Sequence, residues 1–165
     1  MSLGIYFLLI CSMFAVSTSP LIARYLSHLD PISISFWRMF IGATILHFYS
    51  LFSKKNKYLS KKNNIKTIYA GILLGLHFAL FYGAISIMPN NIVNATVFGT
   101  LAPLFALIVE IYFGRKIHQN LIIGLVIVLI GSFTMFIFDF SFDSNLTKGN
   151  ILAILCSICF AFVFI

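Results

Sequence analysis

Four ionisable side chains, Arg38, His47, His77 and Glu110, lie inside long apolar runs of this chain. If those runs cross a bilayer, each such group is costly unless it pairs, borders a polar path or binds something, so each is a functional candidate. His77 is about ten residues into its run, too deep to reach either interface on 1.5 Å per residue. Its imidazole can hold a proton or a polar solute, or it can be a neutral packing histidine, and both readings stay open. Arg38 lies about seven residues from the outer end of its run, so it can snorkel outward, pair internally or meet an anionic solute. Glu110 is close to Arg115 and Lys116, which predicts a local ion pair. Arg38 and Glu110 differ in depth by more than about 15 Å and are not expected to meet. His47 reads as interfacial.

Uncharged polar groups extend the set. Asn94, Thr96 and Thr100 share one run, and Ser17, Thr18 and Ser19 another. They can hydrogen-bond a solute or a neighbouring helix. Pro103 lies about 11 residues into its run, roughly 16 Å deep. A proline there frees the carbonyl of Gly99 and predicts a kink, and binding sites in carriers often lie beside broken helices near the midplane. His77, Asn94, Arg38, Thr100 and Pro103 are therefore the candidate substrate-binding residues.

Other chemistries find little support. Cys11, Cys156 and Cys159 form neither a disulfide framework nor a zinc spacing. Haem ligation needs histidines at matched depth, and His47 and His77 differ by roughly 6 Å. No Ser-His or Asp-Asp pair at a shared depth suggests proteolysis. No enzyme, metal, cofactor or nucleic-acid role is expected.

The elements that position these residues follow from composition. Of 165 residues, 61% are hydrophobic and 9% charged, with a mean hydropathy of +1.04. Soluble domains carry about 25% charged residues, so the fold expected is an all-α polytopic transmembrane bundle. A span needs about 20 apolar residues. Runs at Gly4–Leu26, Pro31–Ser53, Thr67–Met88, Ile92–Phe113 and Leu121–Phe138 give five full spans, and a run from Gly149 gives a truncated sixth. The net charge of +7 is concentrated in Lys54, Lys55, Lys57, Lys61, Lys62 and Lys66. With Arg115 and Lys116 on the next loop of the same side, this places the N-terminus in the cytoplasm. A cleavable signal peptide is not expected.

The chain also repeats itself. Gly4-Ile-Tyr-Phe-Leu-Leu-Ile-Cys11-Ser12 is matched by Gly149-Asn-Ile-Leu-Ala-Ile-Leu-Cys156-Ser157, and Phe14-Ala15 by Phe160-Ala161 one residue further on. A repeat of five spans has an odd number of crossings, so a second copy starts from the opposite side of the membrane. Helix three carries Gly71, Gly75, Ala79 and Gly83 at four-residue spacing, a small-residue face suited to close packing.

The stretch AVSTSPLIARYLSHLDPISISFWRMFIGATIL resembles the first two helices of the EamA repeat of the drug/metabolite transporter superfamily, with Pro31 and Arg38 at its proline and arginine positions. ALFYGAISIMPNNIVNATVFGTLAPLFALIVEIYFGRKIHQNLIIGLVIVLIGSF resembles helices three to five, with Pro103, Gly114, Gly124 and Gly131 in place. Arg115 stands where the family commonly has glutamate, and Phe14-Ala15 where it has Trp-Gly. The resemblance implies one EamA-like repeat of an inverted-repeat carrier over residues 1–138, then an external loop and the start of a second, truncated repeat over 139–165. It implies an exporter or exchanger of a small polar metabolite such as an amino acid, working by alternating access in a bacterial inner membrane. The alternative is a truncated or split remnant, or a subunit needing a partner half. Expected contacts are the bilayer, the solute, and a second repeat or a homodimer partner. The lysine-rich segment weighs against a homodimer of opposed copies.

Overall fold

The computed structural model of the protein describes residues 3–52, 61–115, 119–138 and 144–164. Among these residues all regular structure is helical: α1 (Leu3–Tyr25), α2 (Pro31–Phe52), α3 (Lys61–Ile87), α4 (Ile92–Gly99), α5 (Ala102–Tyr112), α6 (Gln119–Phe138) and α7 (Ser144–Val163). Helices satisfy every interior backbone group within the segment, which lipid demands of a single span. Their ends are set locally. Asp30 precedes α2 and accepts from the Ser33 amide at 2.9 Å and its hydroxyl at 3.1 Å, while Pro31 takes a first-turn position where no N–H is required. Gly114 adopts φ +69° just past α5, the left-handed conformation a helix stop favours.

Four stretches are long and apolar enough to cross a membrane: Gly4–Tyr25, Asn63–Ile87, Ile92–Tyr112 and Asn145–Val163. Helices α2 and α6, with 22 and 20 residues, reach about 30 Å on rise alone, although Arg38 and His47 dilute α2. Large apolar side chains such as Phe7, Leu8, Phe40, Ile45, Ile127 and Ile130 are exposed along α1, α2 and α6, as expected of lipid-facing surfaces. The protein is a helical membrane bundle.

The fourth span departs most from the sequence reading. Instead of kinking, it is interrupted at Thr100 and Leu101 and resumes as α5, with Pro103 in the first turn of the new helix. The Thr100 amide turns back to Thr96 O and Val97 O at 3.1 and 3.2 Å, and the Leu101 amide reaches Phe98 O at 3.4 Å. A continuous helix would run through Pro103, which has no N–H for Gly99 and whose ring crowds that carbonyl. Breaking the helix one turn earlier removes both conflicts.

Helix α7 is the hub. It packs most extensively on α3 and also lies against α4 and α5, while α2 packs on α3 and α6 touches α4. The core between them comprises Tyr82, Ala84, Ile85, Met88, Ala95, Phe98, Leu101, Leu146 and Ala153. Approach is closest at Gly149, where an added Cβ would fall 2.6 Å from Met88 Sδ. The small-residue face of α3 is only partly used for helix packing. A Cβ on Gly83 would touch Leu152 at 3.7 Å, whereas one on Gly71 or Gly75 would meet nothing within 4 Å. The division expected at 138/139 adjoins residues 139–143, which lie outside the described residues, as do Lys54, Lys55, Lys57 and Lys116 of the charge argument.

Candidate functional site

The polar centre of the bundle is built where α3, α7 and the interrupted span meet. His77, half-buried on α3, places Nδ1 3.0 Å from both the backbone carbonyl and Sγ of Cys156 on α7. Its ring stacks on Phe160, with centroids 4.6 Å apart, and meets Phe78 edge-on at 4.9 Å. One residue along α7, the fully buried Ser157 hydroxyl donates to the carbonyl of Phe98. That carbonyl belongs to the last turn of α4, where the break has replaced the usual donor four residues on by a long contact from Leu101. Ser157 thus serves as a side-chain cap supplied from another helix. Next to it, Gly99 brings the α4 backbone so close to α3 that a Cβ there would lie 3.1 Å from the Phe81 ring.

Arg38 forms a second polar centre. Its guanidinium donates to the Ser19 hydroxyl on α1 and to Tyr82 Oη on α3 at 2.5 Å, and its Cζ lies 4.2 Å over the Phe78 ring. It therefore ties α1, α2 and α3 together through internal pairing. Phe78 is the joint between the two centres, touched by Arg38 and by the edge of His77. A cation over an aromatic face contributes about 0.5–2 kcal/mol, more as water is excluded.

The remaining candidates are spread along the interrupted span. Asn94 is 1% exposed and its Nδ2 has no hydrogen-bond partner. On α7, Asn150 is 5% exposed and its Oδ1 is likewise unpaired. Leaving a buried polar group unsatisfied costs about 1–3 kcal/mol, which marks both amides as places for something beyond these contacts. Thr100 is exposed at the break and its hydroxyl donates to its own Val97 carbonyl at 2.9 Å. Pro103 is exposed on the first turn of α5. The structure thus joins His77 to Arg38 through Phe78, and leaves Thr100 and Pro103 on an outer surface of the break.

Glu110 pairs with Arg115 at 3.3 Å, the local ion pair expected, and does not approach Arg38. His47 is exposed on α2 against Phe48. Tyr82 and Phe78 were not among the sequence candidates. Their signal was an i, i+4 aromatic pair on the helix that carries His77, one residue and five residues beyond it. Ser157 entered the sequence reading only through the repeat. Its role required knowing that the carbonyl opposite had lost its helical donor. Among the described residues, no group of three or more His, Cys, Asp or Glu could hold a metal ion.

Hydrophobic spans, a break at the centre of one of them and polar side chains gathered beside it are the features of a carrier. A family model, that of the EamA-like transporter family, matches residues 2–137. The chain belongs to the EamA-like transporter family. No curated protein and no solved structure matches it. An EamA-like membrane protein is an integral membrane transporter of the drug/metabolite superfamily, which fits the absence of any enzyme-like grouping from the sequence reading.

Proposed function

We propose that this EamA-like protein carries a small polar metabolite such as an amino acid across a bacterial inner membrane, as an exporter or exchanger, with its N-terminus in the cytoplasm. The observation that carries this reading is the interrupted span: its broken backbone at Thr100–Leu101 lies beside His77 and Ser157. Irregular backbone at membrane depth is tolerated where it is buried in protein or borders a polar cavity. It also offers a hinge, because α4 and α5 share no continuous hydrogen-bond ladder across residues 100 and 101. Alternating access then consists of α5 moving relative to α4 while α7 and α3 hold the outer half fixed.

In this scheme the unpaired Asn94 amide supplies a donor and the His77 centre a polar wall, while Arg38, already engaged by Ser19 and Tyr82, fixes the three helices that form the frame. Thr100 and Pro103 form the hinge and its outward surface. The lysine-rich segment 54–66 supports the cytoplasmic N-terminus through the positive-inside rule.

The test is counterflow in proteoliposomes of the native full-length protein, loaded in turn with amino acids, nucleosides and organic cations. The expected result is saturable exchange of at least one of them, abolished by disrupting the interrupted span. Exchange of none, with correctly inserted protein, overturns the transport reading. Protease access to the 54–66 segment only in inside-out vesicles checks the orientation.

A further inference from the structure

Two buried amides are left half-satisfied, and they are complementary. Asn94 Nδ2 on α4 is a donor without a partner, and Asn150 Oδ1 on α7 is an acceptor without one, in side chains 1% and 5% exposed. The packing of their helices brings the two together. Asn91 and Leu146 wall one cavity at the end of the bundle where α3 passes into α4, while deeper in the bundle Ser157 meets Phe98. Helices α4 and α7 therefore run side by side in the same direction. Asn94 lies four residues back from Phe98, and Asn150 seven back from Ser157. At 1.5 Å per residue Asn150 is about 4.5 Å nearer the end of the bundle, less than one turn.

The cavity lies one turn above them. It holds about 220 Å³, and its walls include Met88, Asn90, Asn91, Asn145 and Leu146. Asn91 is three residues from Asn94, and Leu146 four from Asn150. Met88 also lies against Gly149, the neighbour of Asn150, and its flexible thioether can move aside to join the cavity to the amides. Among the described residues no charged side chain lines this cavity, and Lys148, two residues from Asn150, is exposed. Arg38 is taken by Ser19 and Tyr82. A donor and an acceptor offered together suit a group that accepts and donates at once. A carboxylate would meet Asn150 Oδ1 with a second acceptor, and an ammonium would meet Asn94 Nδ2 with a second donor. Either would also bring a buried charge with no counter-charge, which is costly.

We propose that Asn94 and Asn150 form the floor of a solute subsite entered through this cavity. It takes a neutral head group, a carboxamide or a hydroxyl, that accepts from Asn94 Nδ2 and donates to Asn150 Oδ1, and it rejects carboxylates and ammonium groups. The bound group bridges α4 to α7 one turn above the capped carbonyl of Phe98, on one side of the break. This narrows the substrate class of the proposed carrier and rests on the reading of Asn94 as a donor to the solute.

The test is equilibrium binding to the native full-length protein in nanodiscs, read by NMR of its isotope-labelled asparagine side-chain amides. Asn94→Ala and Asn150→Ala identify the two resonances, and Asn63, exposed near the start of α3, is the internal control. Acetamide, glycerol, acetate and methylammonium are titrated separately. The expected result is a saturable shift of both resonances with acetamide or glycerol, and none to match at Asn63. Its apparent Kd should be at least about tenfold below that of acetate or methylammonium, the factor one hydrogen bond supplies. A response to acetamide alone assigns a carboxamide, and to glycerol alone a hydroxyl. No saturable shift with either neutral probe overturns the subsite, which then holds water only. Equal affinity for a charged probe, or an equal shift at Asn63, overturns it too. Binding is measured without a gradient. Binding without counterflow therefore removes the transport reading and leaves the subsite, whereas counterflow without binding removes the subsite alone.

Discussion

Replacing Ser157 by alanine isolates the cap on the broken span. The hydroxyl is fully buried and donates to Phe98 O, whose other backbone contact is the Leu101 amide at 3.4 Å. Alanine removes the hydroxyl oxygen and with it this interhelical hydrogen bond. In a soluble core a buried carbonyl left without a partner costs about 1–3 kcal/mol. Interhelical hydrogen bonds in membranes average nearer 0.6 kcal/mol, with a ceiling of about 1.7, because the dissociated helices also find partners. The carbonyl sits at a break in the helical ladder, so the upper half of the membrane range applies, about 1–1.7 kcal/mol. Unfolding in bicelles by titration with a denaturing detergent, comparing wild type with Ser157→Ala, measures it. Ser157→Cys, close in volume and a weaker donor, should fall between the two. A loss below about 0.5 kcal/mol, the scatter of surface substitutions, would refute the view that Ser157 holds the break.

The other expectations follow from single contacts. Gly149→Ala drives a Cβ to within 2.6 Å of Met88 Sδ and should destabilise by about 1–3 kcal/mol, with much of the loss recovered in the double variant Gly149→Ala, Met88→Ala; an additive double variant would contradict this. Tyr82→Phe removes one of the two hydrogen-bond partners of Arg38 and should cost about 1.5 kcal/mol, measured by the same detergent titration. Asn94→Ala should cost no more than about 1 kcal/mol in stability, because Nδ2 has no bond to lose, yet lower counterflow by about tenfold.

The sequence was most legible where one physical constraint dominated. Apolar runs of bilayer length foretold the helices, the run beginning at Pro31 foretold the start of α2, and Glu110 met Arg115 because both lie at the same helix end. Pro103 foretold trouble in the fourth span but not its form. A kink and a break differ in whether the freed carbonyls find partners, and the partner, Ser157, is 59 residues away. Arg38 illustrates the same limit. Depth counting allowed snorkelling, pairing or binding, and only the placement of Ser19 and Tyr82 around it selects pairing. The small-residue ladder misled in its inner half because spacing defines a face without saying which neighbour covers it. At Gly75 the neighbour is a hydroxyl, since Ser35 donates to its carbonyl at 3.1 Å.

The central claim is that the break between α4 and α5 is the working part of a carrier. Pro103→Leu supplies an N–H that can reach Gly99 O and removes the cost of about 3 kcal/mol that proline would impose on a continuous helix, so the span can run on as one. Counterflow of the transported solute by the native full-length protein, wild type against Pro103→Leu at equal insertion, is the direct measurement. The account predicts a variant at least as stable as wild type with exchange lowered about tenfold or more, equivalent to roughly 1.4 kcal/mol or more on the barrier. Unchanged exchange from a span shown to be continuous would contradict it.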